Sequence, residues 1–212
     1  IYNFSFSLVL SGPVVMVVTR YVADLIYVKN VRNVPGALLG GLALLYVYQV
    51  PLILFFYLFI TDLDFMTALN AAANYFIITG IWLAAVFITA IKDYKLILRA
   101  FFMGMALGSV TNAFLAMNDM GVSGMLIGFN AGLGIILFTL IARIFSEYPY
   151  QPTRLFDFMG HFPKYYELAI SGIAFNMAAW ADKWIMWFSD HREIAAGGFI
   201  SYPDYDSAMF LA

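Results

Sequence analysis

Asp182 and Lys183 stand side by side between Trp180 and Trp184, in a stretch (165–188) that is otherwise apolar. A carboxylate, an ammonium and two indoles perform noncovalent chemistry: hydrogen bonding, charge pairing and stacking on flat apolar faces. That combination suits a sugar polymer, whose ring faces stack on indole while its hydroxyls take hydrogen bonds. The stretch is long enough to cross a bilayer. A charge inside one costs about 2.5–3.5 kcal/mol on insertion scales, so such residues face a bundle interior or an aqueous path.

Helical spacing separates these groups. Asn176, Trp180, Lys183 and Trp187 recur at intervals of four, three and four, which places them on one stripe. Asp182 lies about 100° away, with Ser171, Phe175, Ala178, Ala179 and Met186. A partner for its carboxylate must come from another helix or from water, and not from Lys183 as a simple adjacent pair. Lys183 has a competing assignment: its long stem can snorkel outward while Trp184 and Trp187 join an interfacial aromatic belt. A carboxylate reaches less far, which leaves Asp182 the harder residue to explain without a polar path. The candidate path-lining residues are Asn176, Trp180, Asp182 and Lys183.

Other polar residues carry less information. Asn70, Asn74, Asn112, Asn130 and Asn176 sit at or within apolar segments, where hydrogen bonding between helices explains them. Small residues recur every fourth position in Ala100, Gly104, Gly108 and Asn112, and again in Gly124, Gly128 and Gly132. Such rows predict close helix packing. Asp62 and Asp64 read as solvated loop carboxylates. His161 and His191 fall in loops on opposite sides of the predicted topology, so they share no metal site. There is no Gly-rich phosphate loop and no nucleophile–base signature. No catalytic residue, cofactor or metal is expected, and the chain is read as a non-enzyme.

The elements that position these groups follow from composition. Of the 212 residues 63% are hydrophobic and 11% charged, far from the balance of a soluble domain. The fold class expected is an all-α polytopic membrane protein. Spans are predicted at 1–18, 36–60, 68–91, 96–117, 122–144 and 165–188, with a seventh opening near 206–212. The chain starts and stops inside apolar runs, and the expectation is a fragment of a longer polypeptide. Lys and Arg concentrate in alternate loops: Arg20, Lys29 and Arg32; Lys92, Lys95 and Arg99; Arg143, Arg154 and Lys164. The intervening loops carry Asp62 and Asp64, then Asp119, then a mixed, mainly acidic set. Basic loops are cytoplasmic by the positive-inside rule, which puts Ile1 outside and predicts at least one earlier helix. Residues 20–34 mix apolar and basic side chains and predict an amphipathic surface helix. The segment 199–205 is aromatic-rich and expected to pack over helix ends or close a mouth. Cysteine is absent, which removes disulfide and thiolate chemistry, and no dense basic cluster points to nucleic acid.

The segment N-M-A-A-W-A-D-K-W-I-M-W-F (176–188), followed by P-D-Y-D-S-A-M-F-L-A (203–212), resembles the PelG family of exopolysaccharide transporters. The opening S-G-P-V-V-M-V-V-T-R-Y-V-A-D (11–24) resembles the family's second helix and its exit. The resemblance implies a MOP/MATE-like helix bundle with two lobes and about twelve helices. Residues 1–145 would then belong to the N-terminal lobe without its first helix, 146–164 to a cytoplasmic inter-lobe loop, and 165–212 to the start of the C-terminal lobe. It further implies a bacterial inner-membrane subunit exporting Pel-type exopolysaccharide for the biofilm matrix. The implied partners are the polymer, the lipid bilayer, a cytoplasmic glycosyltransferase, and membrane scaffold and cyclic-di-GMP receptor subunits. Rivals within transport are a lipid-linked oligosaccharide flippase and a multidrug exporter. An integral membrane acyl- or glycosyltransferase is the rival from another class; it calls for an embedded His or a cytosolic carboxylate cluster, and the sequence has neither.

Overall fold

The computed structural model describes residues 1–118, 120–190, 192–194 and 196–209. Its long helices are α1 (Tyr2–Tyr27), α2 (Val34–Phe55), α3 (Phe65–Ile91), α4 (Tyr94–Met117) and α5 (Gly121–Glu147). A single turn, α6 (His161–Lys164), precedes α7 (Tyr166–Met186), and α8 (Pro203–Met209) follows a two-residue hairpin, β1 (Glu193–Ile194) with β2 (Ile200–Ser201). The fold is all-α, and consecutive long helices run in opposite directions.

Among the described residues, five segments are long and apolar enough to cross a membrane: Tyr2–Tyr27, Val31–Ile60, Phe65–Ile91, Tyr94–Met117 and Gly121–Glu147. The chain is a multi-pass membrane protein. Helix α7 has 21 residues and is long enough to be a sixth span, but Asn176, Asp182 and Lys183 lower its apolar character. The helix expected to open near 206–212 starts at Pro203 and is described as far as Met209. Residues 210–212, Asp119 and His191 lie outside the described residues.

Local sequence sets the helix ends. Asp64 caps α3, its side chain accepting from the Thr67 amide at 3.0 Å, and hydrogen bonds from the Thr67 hydroxyl and amide hold its carboxyl below the usual range. Asp93 caps α4 through Leu96 and also receives Arg143 of α5 at 2.9 Å, so its carboxyl is likewise lowered. The amphipathic surface helix expected over 20–34 does not form as a separate element. Helix α1 runs on to Tyr27, with Arg20 and Asp24 paired at 3.0 Å on its surface, and a short 3-10 turn (Val31–Asn33) leads into α2. Charges spaced four apart there decorate one continuous helix; they do not mark its end.

The two glycine rows meet as expected. A Cβ at Gly104 would stand 2.6 Å from the Gly132 carbonyl oxygen, so α4 and α5 touch backbone to backbone. The opposite flank of α4 presents Phe102, Val110 and Phe114 outward, as a lipid-facing surface requires.

At the basic-loop end, the segment before α6 is laid against α2. Asn33 donates to the Arg154 carbonyl at 3.1 Å, Phe158 is fully buried against Tyr21, and the Leu155 carbonyl rests on Gly40. No Cβ fits there. Gly40→Val is expected to lift the segment, and limited tryptic cleavage at Arg154 should accelerate about tenfold, the equivalent of the usual overpacking cost. Unchanged cleavage would show that the glycine shelf does not hold the segment.

Candidate functional site

Helix α7 lies antiparallel along α1, and its predicted stripe is the face in contact. Asn176, Lys183 and Trp187 are only 8%, 5% and 5% exposed. The contact is closest where glycine meets glycine: a Cβ at Gly172 would stand 2.7 Å from the Gly12 carbonyl oxygen. One turn on, the Asn176 amide donates to the Leu8 carbonyl at 2.9 Å. Two aromatic pairs follow toward the acidic-loop end. Trp184 stacks on Phe6 at 5.4 Å, and Trp187 on Tyr2 at 4.5 Å.

Lys183 therefore does not snorkel outward. Its ammonium sits 5.1 Å from the centre of the half-buried Trp180 ring, within cation–π range. Trp187 is likewise packed inside the protein. The aromatic-belt assignment fails for these residues because α1 covers the face they occupy.

Asp182 points elsewhere. Its carboxylate accepts a hydrogen bond from the Tyr205 hydroxyl of α8 at 2.8 Å, and this contact raises the phenol above its ordinary range. Most of its stripe is open, with Ser171, Phe175, Ala178 and Ala179 exposed and Met186 half-buried. The four candidates thus divide between a face sealed against α1 and a flank tied to α8.

The segment 199–205 does pack over helix ends. Phe199 meets Tyr2 edge-on at 5.0 Å and leans on Phe56 and Tyr57, while the Tyr2 hydroxyl bonds both the carbonyl and the amide of Ile200. His161, at the opposite end, lies 3.6 Å from Asp24. Among the described residues no group of three His, Asp or Glu is placed to hold a metal ion.

Sequence reasoning missed the best-organised polar feature. Tyr57 donates to the Asn3 side-chain oxygen, Asn3 donates to Asn74 at 2.8 Å, Asn74 to Asn130 at 2.7 Å, and Asn130 to the Asn70 carbonyl at 2.8 Å. This chain of amides links α1, α2's π-helical extension (Phe56–Ile60), α3 and α5. Asn70, Asn74 and Asn130 were visible as polar residues in apolar segments. Asn3 and Tyr57 became visible only through the packing. A cavity of about 180 Å³ bounded by Tyr2, Asn3, Phe6, Tyr57 and Tyr75 lies between this network and the aromatic pairs on α7.

Chemically, the ensemble offers amides, phenols, indoles, a carboxylate and an ammonium for binding. Residues 1–212 match the family model PelG, described as "Putative exopolysaccharide Exporter (EPS-E)". No curated protein and no solved structure matches the chain.

Proposed function

Because this chain belongs to the PelG family of exopolysaccharide exporters, we propose that it is a bacterial inner-membrane subunit that translocates Pel-type exopolysaccharide during biofilm matrix formation. The family match over the full 212 residues carries this reading. The chain performs translocation and no bond chemistry. Polymer would arrive from a cytoplasmic glycosyltransferase, with membrane scaffold and cyclic-di-GMP receptor subunits alongside, in a two-lobed MOP/MATE-like transporter. Residues 1–145 belong to the first lobe, 146–164 to the cytoplasmic connection, and 165–212 open the second lobe.

Asn176, Trp180, Asp182 and Lys183 are the path residues in this proposal. Two features support their assignment. Asp182 lies on the open flank of α7 and accepts from a neutral donor, Tyr205, which a sugar hydroxyl could replace at little cost. Lys183 and Asn176 occupy the seam between α7 and α1, where any relative movement of those helices would expose them.

The test uses Asp182→Asn and Lys183→Met in the full-length protein, with secreted polymer measured at matched membrane levels. Asn keeps an acceptor for Tyr205 but removes the charge; Met keeps the length of the stem. Each is expected to lower secretion by about tenfold or more, the equivalent of one lost charge-assisted hydrogen bond. Normal secretion by both would remove these residues from the mechanism.

A further inference from the structure

Toward the basic-loop end, a cavity of about 430 Å³ lies between α1, α2, α6 and α7. Val9, Leu10, Pro13, Leu44, Phe162 and Ile173 are among its walls. Tyr48 also lines it, but the phenol hydroxyl is turned to the Leu10 carbonyl. The interior therefore offers no hydrogen bond to an ion or a sugar, and apolar cavities of this kind stay dry. Ile173 is 38% exposed and Val9 and Pro13 are half-buried, so the cavity opens to the outside of the bundle. In a multi-pass membrane protein, what meets such an opening is lipid hydrocarbon.

The groups above the cavity decide which lipid. Arg20 of α1 and Lys164 of α6 both approach the ring of Tyr165, at 5.3 and 5.0 Å from its centre. Both cations are exposed. Asp24 takes one guanidinium nitrogen of Arg20 at 3.0 Å, and its second oxygen faces His161 at 3.6 Å. That carboxylate is occupied on both sides, and the rest of the guanidinium remains available. Lys164 pairs with no carboxylate among the described residues. A guanidinium and an ammonium on flexible stems suit one phosphate, and basic clusters beside membrane helices select anionic headgroups.

The cavity and the cations are in register. Val9, Pro13 and Arg20 fall within about 40° of one another around α1, so they share a face. Along the axis, Pro13 and Val9 lie about 10 and 16 Å from Arg20. Phe162, in the cavity wall, belongs to the same single turn as Lys164. One leaflet contributes about 15 Å of hydrocarbon, half the thickness of the core. An acyl chain hung from a phosphate at Arg20 thus runs past Pro13 and through the cavity before it reaches the midplane.

We infer that this cavity is a binding site for an anionic glycerophospholipid. One acyl chain lies beneath α6 against Pro13 and Ile173, and the phosphate is held between Arg20 and Lys164. The assignment goes beyond the export reading and does not depend on which polymer crosses the membrane.

The experiment is native mass spectrometry of the purified full-length protein, titrated with phosphatidylglycerol or with phosphatidylcholine of the same chains. Wild type is expected to retain one phosphatidylglycerol with a Kd at least tenfold below that for phosphatidylcholine. Arg20→Gln with Lys164→Gln removes both cations and should raise the phosphatidylglycerol Kd about thirtyfold, the equivalent of two lost cation–headgroup contacts. Ile173→Trp fills the cavity and should weaken both lipids about tenfold, through overpacking against the chain. Thermal melting confirms that each variant is folded, and Lys164→Gln alone, at an exposed position, reads the headgroup contact if the double variant is not. Glycerol phosphate, which has the headgroup chemistry without chains, should not compete. Equal affinity for the two lipids, wild-type affinity in the folded variants, or competition by glycerol phosphate overturns the site. Retention of no lipid by wild type also overturns it, and assigns the cavity to another protein segment.

Discussion

Leucine at Gly172 is expected to separate α7 from α1 and to remove most of the folded protein from the membrane. The two helices meet there through backbone atoms, with Gly12 and Gly172 facing one another. A Cβ at Gly172 would lie 2.7 Å from the Gly12 carbonyl oxygen and 2.8 Å from the Met16 side chain, and a leucine adds three more carbons. Met16 could swing away, but the carbonyl belongs to α1 itself. The helices would have to part by well over an ångström, losing the Asn176–Leu8 bond and both aromatic stacks together. In lipid no hydrophobic force opposes that parting, since packing and hydrogen bonds are what hold helices together. Overpacking alone costs about 1–3 kcal/mol, and the lost contacts add to it. The measurement is the monodisperse fraction of detergent-extracted protein, compared with Gly134→Leu, where no atom lies within 4 Å of an added Cβ. Gly134→Leu should extract like wild type. Equal recovery of the two variants would refute the close approach of α1 and α7.

How legible this contact was depends on which part is considered. Helical spacing alone placed Asn176, Lys183 and Trp187 on one stripe, because their intervals follow from the 3.6-residue turn. What that stripe faces is a property of its neighbour. Gly12 and Gly172 lie 160 positions apart, and nothing local to 165–188 says that α1 covers Lys183. The snorkelling assignment failed for that reason. Asp182 shows the opposite case: its adjacency to Lys183 ruled out a simple pair, so a partner from another helix or from water was expected, and Tyr205 of α8 supplies one. Its identity depended on a turn and a hairpin between α7 and α8, which periodicity does not describe. Residues 20–34 were misread because polar residues at the end of an apolar span look the same whether the helix stops or continues into water. The Arg20–Asp24 pair, formed only if helix continues, decides it.

The amide chain through α1, α3 and α5 supports a sharper expectation about stability. Asn74→Leu removes the acceptor of Asn3 and the donor to Asn130 in one step. Asn3 keeps its bond to the Ala71 carbonyl, so it loses only part of its satisfaction. Asn130 keeps its bond to the Asn70 carbonyl but is left with a buried oxygen facing hydrocarbon. An unmet buried acceptor costs about 1–3 kcal/mol, whereas hydrogen bonds between membrane helices average about 0.6 kcal/mol by double-mutant cycles. The two figures differ because one counts an orphan and the other counts a pair. Asn74→Leu should therefore lower stability by about 2 kcal/mol, while adding Asn130→Leu should recover part of that loss rather than double it. Thermal unfolding of the single and double variants in detergent reads the difference directly. Additive losses would mean that Asn74 and Asn130 act independently, and that the network is four separate contacts with no relay through Asn74 at its centre.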